Sequence, residues 1–138
     1  AVAAARKGLY SQFEIQRGLP VTKMLKYFRQ EGDEWIAKDE LRRAITFSQH
    51  NMLDSARYLG GFDIVLCRNM LMYLNDEKRG QILDTLASVL APDGMLMLGA
   101  AETVMGHSTR FAASREYRVF YELQKKASII PTAYRAAG

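Results

Sequence analysis

The chain has 138 residues, 49% of them hydrophobic and 25% charged, with one cysteine, three prolines and ten glycines. This composition excludes a largely disordered chain, a collagen-like repeat and a disulfide scaffold, and a complete domain of this length would bury roughly two thirds of its unfolded surface. The net charge of +4 is uneven: residues 1–30 hold six basic side chains (Arg6, Lys7, Arg17, Lys23, Lys26, Arg29) against Glu14 alone, a balance of +5, so the rest sums to −1. A basic face attracts anionic partners, whether nucleic acid, anionic lipid or acidic protein, and the plainer reading is a solvated helix surface.

In chain order, Ala1–Gly8 is helix-forming in composition, with no capping residue ahead of it. Gly18-Leu19-Pro20 marks a break. Pro20 suits the first turn of a helix whose apolar residues Val21, Met24, Leu25 and Phe28 fall at i, i+3, i+4 and i+7. The polar run Gln30-Glu31-Gly32-Asp33-Glu34 between Lys26-Tyr27-Phe28 and Trp35-Ile36-Ala37 reads as a small hairpin or a helix running into a strand. Ile45-Thr46-Phe47 has strand character, and Gly60-Gly61 is a loop.

Phe62 to Cys67 is a continuous apolar run of the kind a strand buried on both faces needs, interrupted only by Asp63. Asn75-Asp76-Glu77 supplies a cap and first-turn acids to a helix presenting Ile82, Leu83, Leu86, Val89 and Leu90 on one face. Pro92-Asp93-Gly94 stops that helix, and Met95–Gly99 is a second strand. Strand, helix, turn and strand make a βαβ unit with a parallel sheet. Phe111 and the run Tyr117–Tyr121 read as an antiparallel pair of strands, and Ser128–Gly138 as a frayed tail. No internal repeat or low-complexity segment occurs.

Ligands of open α/β sheets bind outside the carboxyl ends of the strands. Here those ends carry Cys67 to Tyr73 and Ala100 to Val104. Arg68 offers five donors in a rigid fork and Asn69 both donors and an acceptor, a combination suited to a carboxylate or amide ligand. The alternative is that Arg68 pairs with a nearby acid and Asn69 caps a turn. His50 and His107 have no partner at metal-ligand spacing, so a metal site is not expected. There is no Gly-x-Ser-x-Gly, P-loop or Gly-x-Gly-x-x-Gly, and no RNA-binding signature. No apolar run approaches the roughly 20 residues that span a bilayer, and no charged-then-apolar leader opens the chain. With Cys67 unpaired, the expected setting is cytoplasmic, without membrane insertion or nucleic acid.

Several of these residues also carry a resemblance. Phe13-Glu14-Ile15-Gln16-Arg17-Gly18-Leu19-Pro20 resembles the segment after the second sheet strand of chemotaxis receptor methyltransferases, the CheR family. Phe62 to Tyr73 is similar to that family's Phe-Asp-x-(apolar)-x-Cys-Arg-Asn-(apolar)-(apolar)-x-Tyr signature. Gln49 to Leu53 resembles its Asn-Leu pair after the third strand, and Leu90-Ala91-Pro92-Asp93-Gly94 the turn before the fifth strand of class I methyltransferases. The resemblance runs from about Gly8 to Leu123.

It implies an α/β chain holding an incomplete class I S-adenosylmethionine-dependent methyltransferase (Rossmann-like) fold. Residues 1–127 would be the C-terminal portion of the catalytic domain, with a small inserted β-subdomain at about 25–47, a C-terminal antiparallel strand pair, and a tail at 128–138. The Gly-containing loop after the family's first strand and the acidic residue after its second would lie upstream of Ala1. Asn51 and Met52 would lie along the adenine of S-adenosylmethionine, with Cys67, Arg68 and Asn69 bordering its methionine half. Arg68 and Tyr73 would receive and orient the substrate glutamate. The implied reaction esterifies glutamates on cytoplasmic helices of chemoreceptors, leaving S-adenosylhomocysteine, and the short Arg29–Glu34 turn resembles the pentapeptide-independent type. The alternatives are a non-catalytic module that binds a receptor or regulator, and a methyltransferase acting on RNA or a small molecule.

Overall fold

The computed structural model describes residues 1–124, which form two compact units, Ala1–His50 and the part beginning at Asn51. In the first, α1 (Val2–Lys7) ends at Gly8, whose φ of 65° is the left-handed conformation that closes a helix at little cost only in glycine. β1 (Leu9–Ser11) follows directly. Ser11 then opens α2 (Gln12–Gln16) with a reciprocal cap: its hydroxyl accepts from the Glu14 N–H while the Glu14 carboxylate accepts from the Ser11 N–H. This cap holds the Glu14 carboxyl below its ordinary range through the Ser11 backbone and hydroxyl donors.

α3 (Val21–Tyr27) starts behind Pro20 and runs straight into a hairpin, β2 (Phe28–Glu31) and β3 (Glu34–Ala37). Both readings of that region therefore hold. Gly32 takes a φ of 61° at the first central position of the turn, which a primed two-residue hairpin requires. β3 lies between β1 and β2, all antiparallel. Ile15, Met24 and Trp35 form the core beneath, and the Trp35 indole N–H donates to Gln12 Oε1 at 2.5 Å. Lys38 Nζ reaches the carbonyls of Leu25 and Lys26 at 3.1 and 2.8 Å, a cation at the C-terminal end of α3. α4 (Asp39–Arg43) follows. The expected strand at Ile45–Phe47 does not form: these residues are irregular, because no partner in the unit offers them a ladder.

In the second unit, β4 (Phe62–Cys67), α5 (Asp76–Val89) and β5 (Leu90–Leu98) make the βαβ unit read from the sequence, with β4 and β5 parallel. Asn75 Oδ1 accepts from the Lys78 N–H at 3.0 Å to open α5. β5 begins earlier than expected, at Leu90, and the register slips at Pro92-Asp93-Gly94 before Ile64 meets Met95. Gly94 is required there, since a Cβ would stand 2.8 Å from the Phe62 carbonyl oxygen. β7 (Phe120–Leu123) pairs antiparallel with β5, and β6 (Phe111–Ala113) with β7, giving the order β4-β5-β7-β6. Tyr117–Val119, expected within a strand, instead form the turn entering β7, where Val119 has a φ of 64°. The expected tail at 128–138 lies outside the described residues.

α5 covers one face of this sheet. Leu83, Leu86, Leu96 and Leu98 close against one another there, with Val65 and Cys67 of β4 on the same side. β4 is not buried on both faces as its composition suggests: Ile64 and Leu66 are 60% and 66% exposed. The reason is position, since β4 is the edge strand and α5 reaches only the opposite face. Among the described residues, no helix is long and apolar enough to cross a membrane.

Leu96, fully buried in this layer, is expected to cost about 2–5 kcal/mol when cut to alanine. Ile64→Ala on the open face should cost under about 1 kcal/mol, since little apolar area is lost there. Urea unfolding of both variants checks the contrast, and similar costs would refute the one-sided packing of β4.

Candidate active site

β4 delivers its last residue, Cys67, into the core and releases the chain at Arg68. Asn69 then turns with a φ of 57°, unusual for a residue with a Cβ. Met70 leads into a short 3-10 turn, Leu71–Tyr73. A segment leaving a strand in this way has N–H groups that no ladder satisfies. One carboxylate takes four of them in a row. Glu102, three residues beyond Gly99 at the end of β5, accepts at Oε2 from Gly99 and Asn69, both at 2.8 Å. Its Oε1 accepts from Met70, Leu71 and Met72 at 2.8, 2.7 and 3.3 Å. Gly99 makes room: a Cβ there would overlap Asn69 Oδ1 and stand 2.6 Å from Glu102 Oε2.

Partial burial raises the Glu102 carboxyl, but the N–H donors of Gly99, Asn69, Met72 and Met70 outweigh it and hold the group below its ordinary value. The Cys67 thiol moves the other way, pushed up to about 11 by burial and then by the neighbouring Glu102 charge. It stays a neutral lining group rather than a nucleophile.

The carbonyl side of the segment is held too. Arg79 Nε on α5 donates to the Leu71 carbonyl at 2.9 Å and Nη2 to that of Met72 at 3.5 Å, while Nη1 lies 3.4 Å from Asp76 Oδ1. Beside β4 lies an apolar groove of about 320 Å³, and Met52, Val65, Leu66, Cys67, Arg68 and Met70 are among the residues lining it.

Three of the residues singled out from sequence, Met52, Cys67 and Arg68, therefore meet at one groove. Three do not line it. Asn51 Oδ1 accepts from the Leu53 N–H at 3.2 Å within its own turn. Asn69 gives its backbone to Glu102, and Tyr73, the last residue of the 3-10 turn, is 80% exposed. Arg68 is not paired with an acid: among the described residues no carboxylate lies within ion-pair distance of it. The sequence pattern puts Glu102 just past the second strand without giving it a role, and does not point to Arg79. The available signal was an acid placed just past a strand-ending glycine, opposite a strand end rich in N–H donors.

A mostly apolar groove that runs along an edge strand from Phe62 and reaches an arginine just past its carboxyl end, with Leu86 and Val89 of α5 in its lining, is an arrangement by which an α/β domain can hold an extended, partly apolar ligand. The comparisons with known proteins give that class a family. Residues 1–120 match the model described as "CheR methyltransferase, SAM binding domain", and the chain belongs to this family. S-adenosylmethionine is the methyl donor of the family, and the α/β content and mixed sheet agree with a methyltransferase fold. The chain is 36% identical over 111 residues to a chemotaxis protein methyltransferase of Vibrio parahaemolyticus, covering 80% of this chain and 40% of that protein. It is 34% identical over 111 residues to chemotaxis protein methyltransferase 1 of Vibrio cholerae, with the same coverage. It is 39% identical over 102 residues to chemotaxis protein methyltransferase Cher2 of Pseudomonas putida, covering 73% of this chain and 37% of that protein. The chain thus spans about 40% of the length of the curated relatives it matches.

The lining fits the family's cofactor. Met52, Val65, Leu66 and Met70 offer an apolar surface to an adenine or thioether, and Arg68 a donor fork to a carboxylate.

A carboxyl held below its unfolded value adds stability that is present above the unfolded pKa and lost as pH falls through the folded one. Wild-type stability in urea should therefore drop from about pH 4.5 downward more steeply than that of Glu102→Gln. At neutral pH the variant should be less stable by on the order of 1–3 kcal/mol. Parallel pH profiles for the two proteins would show that Glu102 is not held as described.

Proposed function

We propose that this chain is the C-terminal portion of the catalytic domain of a cytoplasmic protein-glutamate O-methyltransferase. It would carry the core of an incomplete class I fold over residues 1–127, with an inserted β-subdomain at about 25–47. The substrates would be glutamate side chains on the cytoplasmic helices of chemoreceptors. The observation that carries the reading is the meeting of Met52, Cys67 and Arg68 in one groove along β4 in a chain of this family. The names of its relatives as chemotaxis protein methyltransferases support the receptor as target. The two-residue turn of the β2–β3 hairpin supports docking that does not depend on a receptor pentapeptide.

Met52 would lie along the adenine with Asn51 beside it, and Cys67, Arg68 and Asn69 would border the amino-acid half. When bound, S-adenosylmethionine supplies an electrophilic methyl group. A glutamate carboxylate is already ionised at neutral pH, so the protein need not remove a proton. What remains is alignment of a carboxylate oxygen with the methyl carbon. Arg68, free of any acidic partner among the described residues, is suited to grip the second carboxylate oxygen. Tyr73, exposed at the last residue of the 3-10 turn, would donate its hydroxyl to the same carboxylate. Burial keeps the Cys67 thiol neutral and inert beside the methyl donor.

A second reading is a binding module without chemistry. It is favoured by an opening of about 500 Å³ in the first unit, lined by Arg6, Arg42 and Arg43 against the single acid Asp39. Such a surface suits an acidic partner.

Calorimetry with S-adenosylhomocysteine separates the readings. Weak or no binding to this chain and clear binding to a form extended upstream is expected; equally tight binding by both would sink the fragment reading, and none by either would favour the binding module. In the full-length protein, Arg68→Ala should lower transfer of tritiated methyl to receptor glutamates by on the order of a hundredfold, the cost of losing alignment. Retained transfer would remove Arg68 from this role.

A further inference from the structure

We propose that Glu102 and Arg79 are positioning residues that act from opposite sides of one backbone segment to set where Arg68 and Tyr73 stand. The inference rests on the methyl-transfer reading above and adds two residues to it. Glu102 gathers the N–H groups of Asn69, Met70, Leu71 and Met72 on one side, and anchors itself to the N–H of Gly99 just past β5. Arg79 takes the carbonyls of Leu71 and Met72 on the other side, from a position fixed on α5. Arg68 stands immediately before the segment so held, and Tyr73 immediately after it.

The clamp is charge-assisted at both ends, which makes each hydrogen bond stronger than a neutral one. It also accounts for the left-handed Asn69. A residue with a Cβ holds that conformation only where the surroundings over-determine it. Here they do: the Asn69 N–H is bound to Glu102 and its side chain occupies the space Gly99 leaves open. Without the carboxylate, five N–H groups would face one another with no acceptor, and the turn that carries Arg68 and Tyr73 would lose its register. Neither Glu102 nor Arg79 lines the groove of Met52, Cys67 and Arg68. Their loss should therefore act on turnover more than on cofactor affinity.

The test uses the full-length enzyme. Glu102→Ala is expected to lower kcat for glutamate methylation at least tenfold, while the Kd for S-adenosylhomocysteine by calorimetry stays within threefold. Sodium formate, small enough to enter the vacated cradle, should restore part of kcat in this variant and leave wild type unaffected. Arg79→Met should lower kcat in the same way without formate rescue. Unchanged kcat, or loss of kcat and of binding sites in equal proportion, overturns the proposal, as does a failure of formate to help. A second measurement needs no activity and no variant. In the 138-residue chain, the amide signals of Asn69, Met70, Leu71, Met72 and Gly99 should titrate together in acid as Glu102 gains its proton; independent behaviour overturns the cradle. Wild-type enzyme that methylates no glutamate while these five amides still titrate as one would defeat the methyl-transfer reading and leave the clamp standing.

Discussion

The C-terminal sheet depends on a single electrostatic arrangement: one carboxylate, that of Glu102, opposite five backbone N–H groups at the ends of two parallel strands. A parallel pair leaves its carboxyl ends ragged, because each strand departs into a loop with no neighbour to complete its ladder. Those unsatisfied groups would be costly if buried without an acceptor. Glu102 turns that liability into a joint. It ties β4 to β5 where they diverge, and gives the loop after β4 a conformation that hydrophobic packing alone would not select. Gly99 and the left-handed Asn69 follow from it, because both yield to the space and the donors the carboxylate needs.

The joint divides the chemistry of the strand end in two. On one side lie the apolar wall and the inert thiol, where Met52, Val65 and Met70 pack against the core that holds Cys67. On the other lies the polar clamp of Glu102 and Arg79, with Asp76 and His107 close by, the His107 imidazole 3.7 Å from the Asp76 carboxylate. Arg68 sits between them, at the rim of the groove and the start of the clamped segment. The first unit contributes a different kind of surface, with nine basic side chains against six acidic ones and a small core around Trp35. Its charge suits an acidic partner more than a catalytic role.

Much of this was legible from residue pattern. The βαβ unit stands out because a buried helix face has a period and each strand beside it has a mostly apolar run. The Asn75 cap, the break at Gly18-Leu19-Pro20 and the strand pair near the C-terminus were equally local. What misled was also local evidence standing for a tertiary fact. Ile45-Thr46-Phe47 has strand composition and no strand to pair with, and Phe62–Cys67 has the composition of a central strand yet stands at an edge. The short strand Leu9–Ser11 and its neighbouring cap were overlooked, since three residues are too few for a period to register.

For the site, the sequence alone determined which chemistry was present at the end of β4: a thiol, a guanidinium, an amide and a phenol. Only the tertiary structure decided how they are shared out. It brought Met52 across some fifteen positions to the Cys67–Arg68 groove, and left Asn51, Asn69 and Tyr73 outside that lining. It also brought in Glu102 from more than thirty positions away. Hydrophobic period and capping are written in neighbouring residues, so they can be read along the chain. The partner of an unsatisfied backbone N–H is whatever acceptor the fold carries to it, and that is set only when β4 and β5 lie side by side.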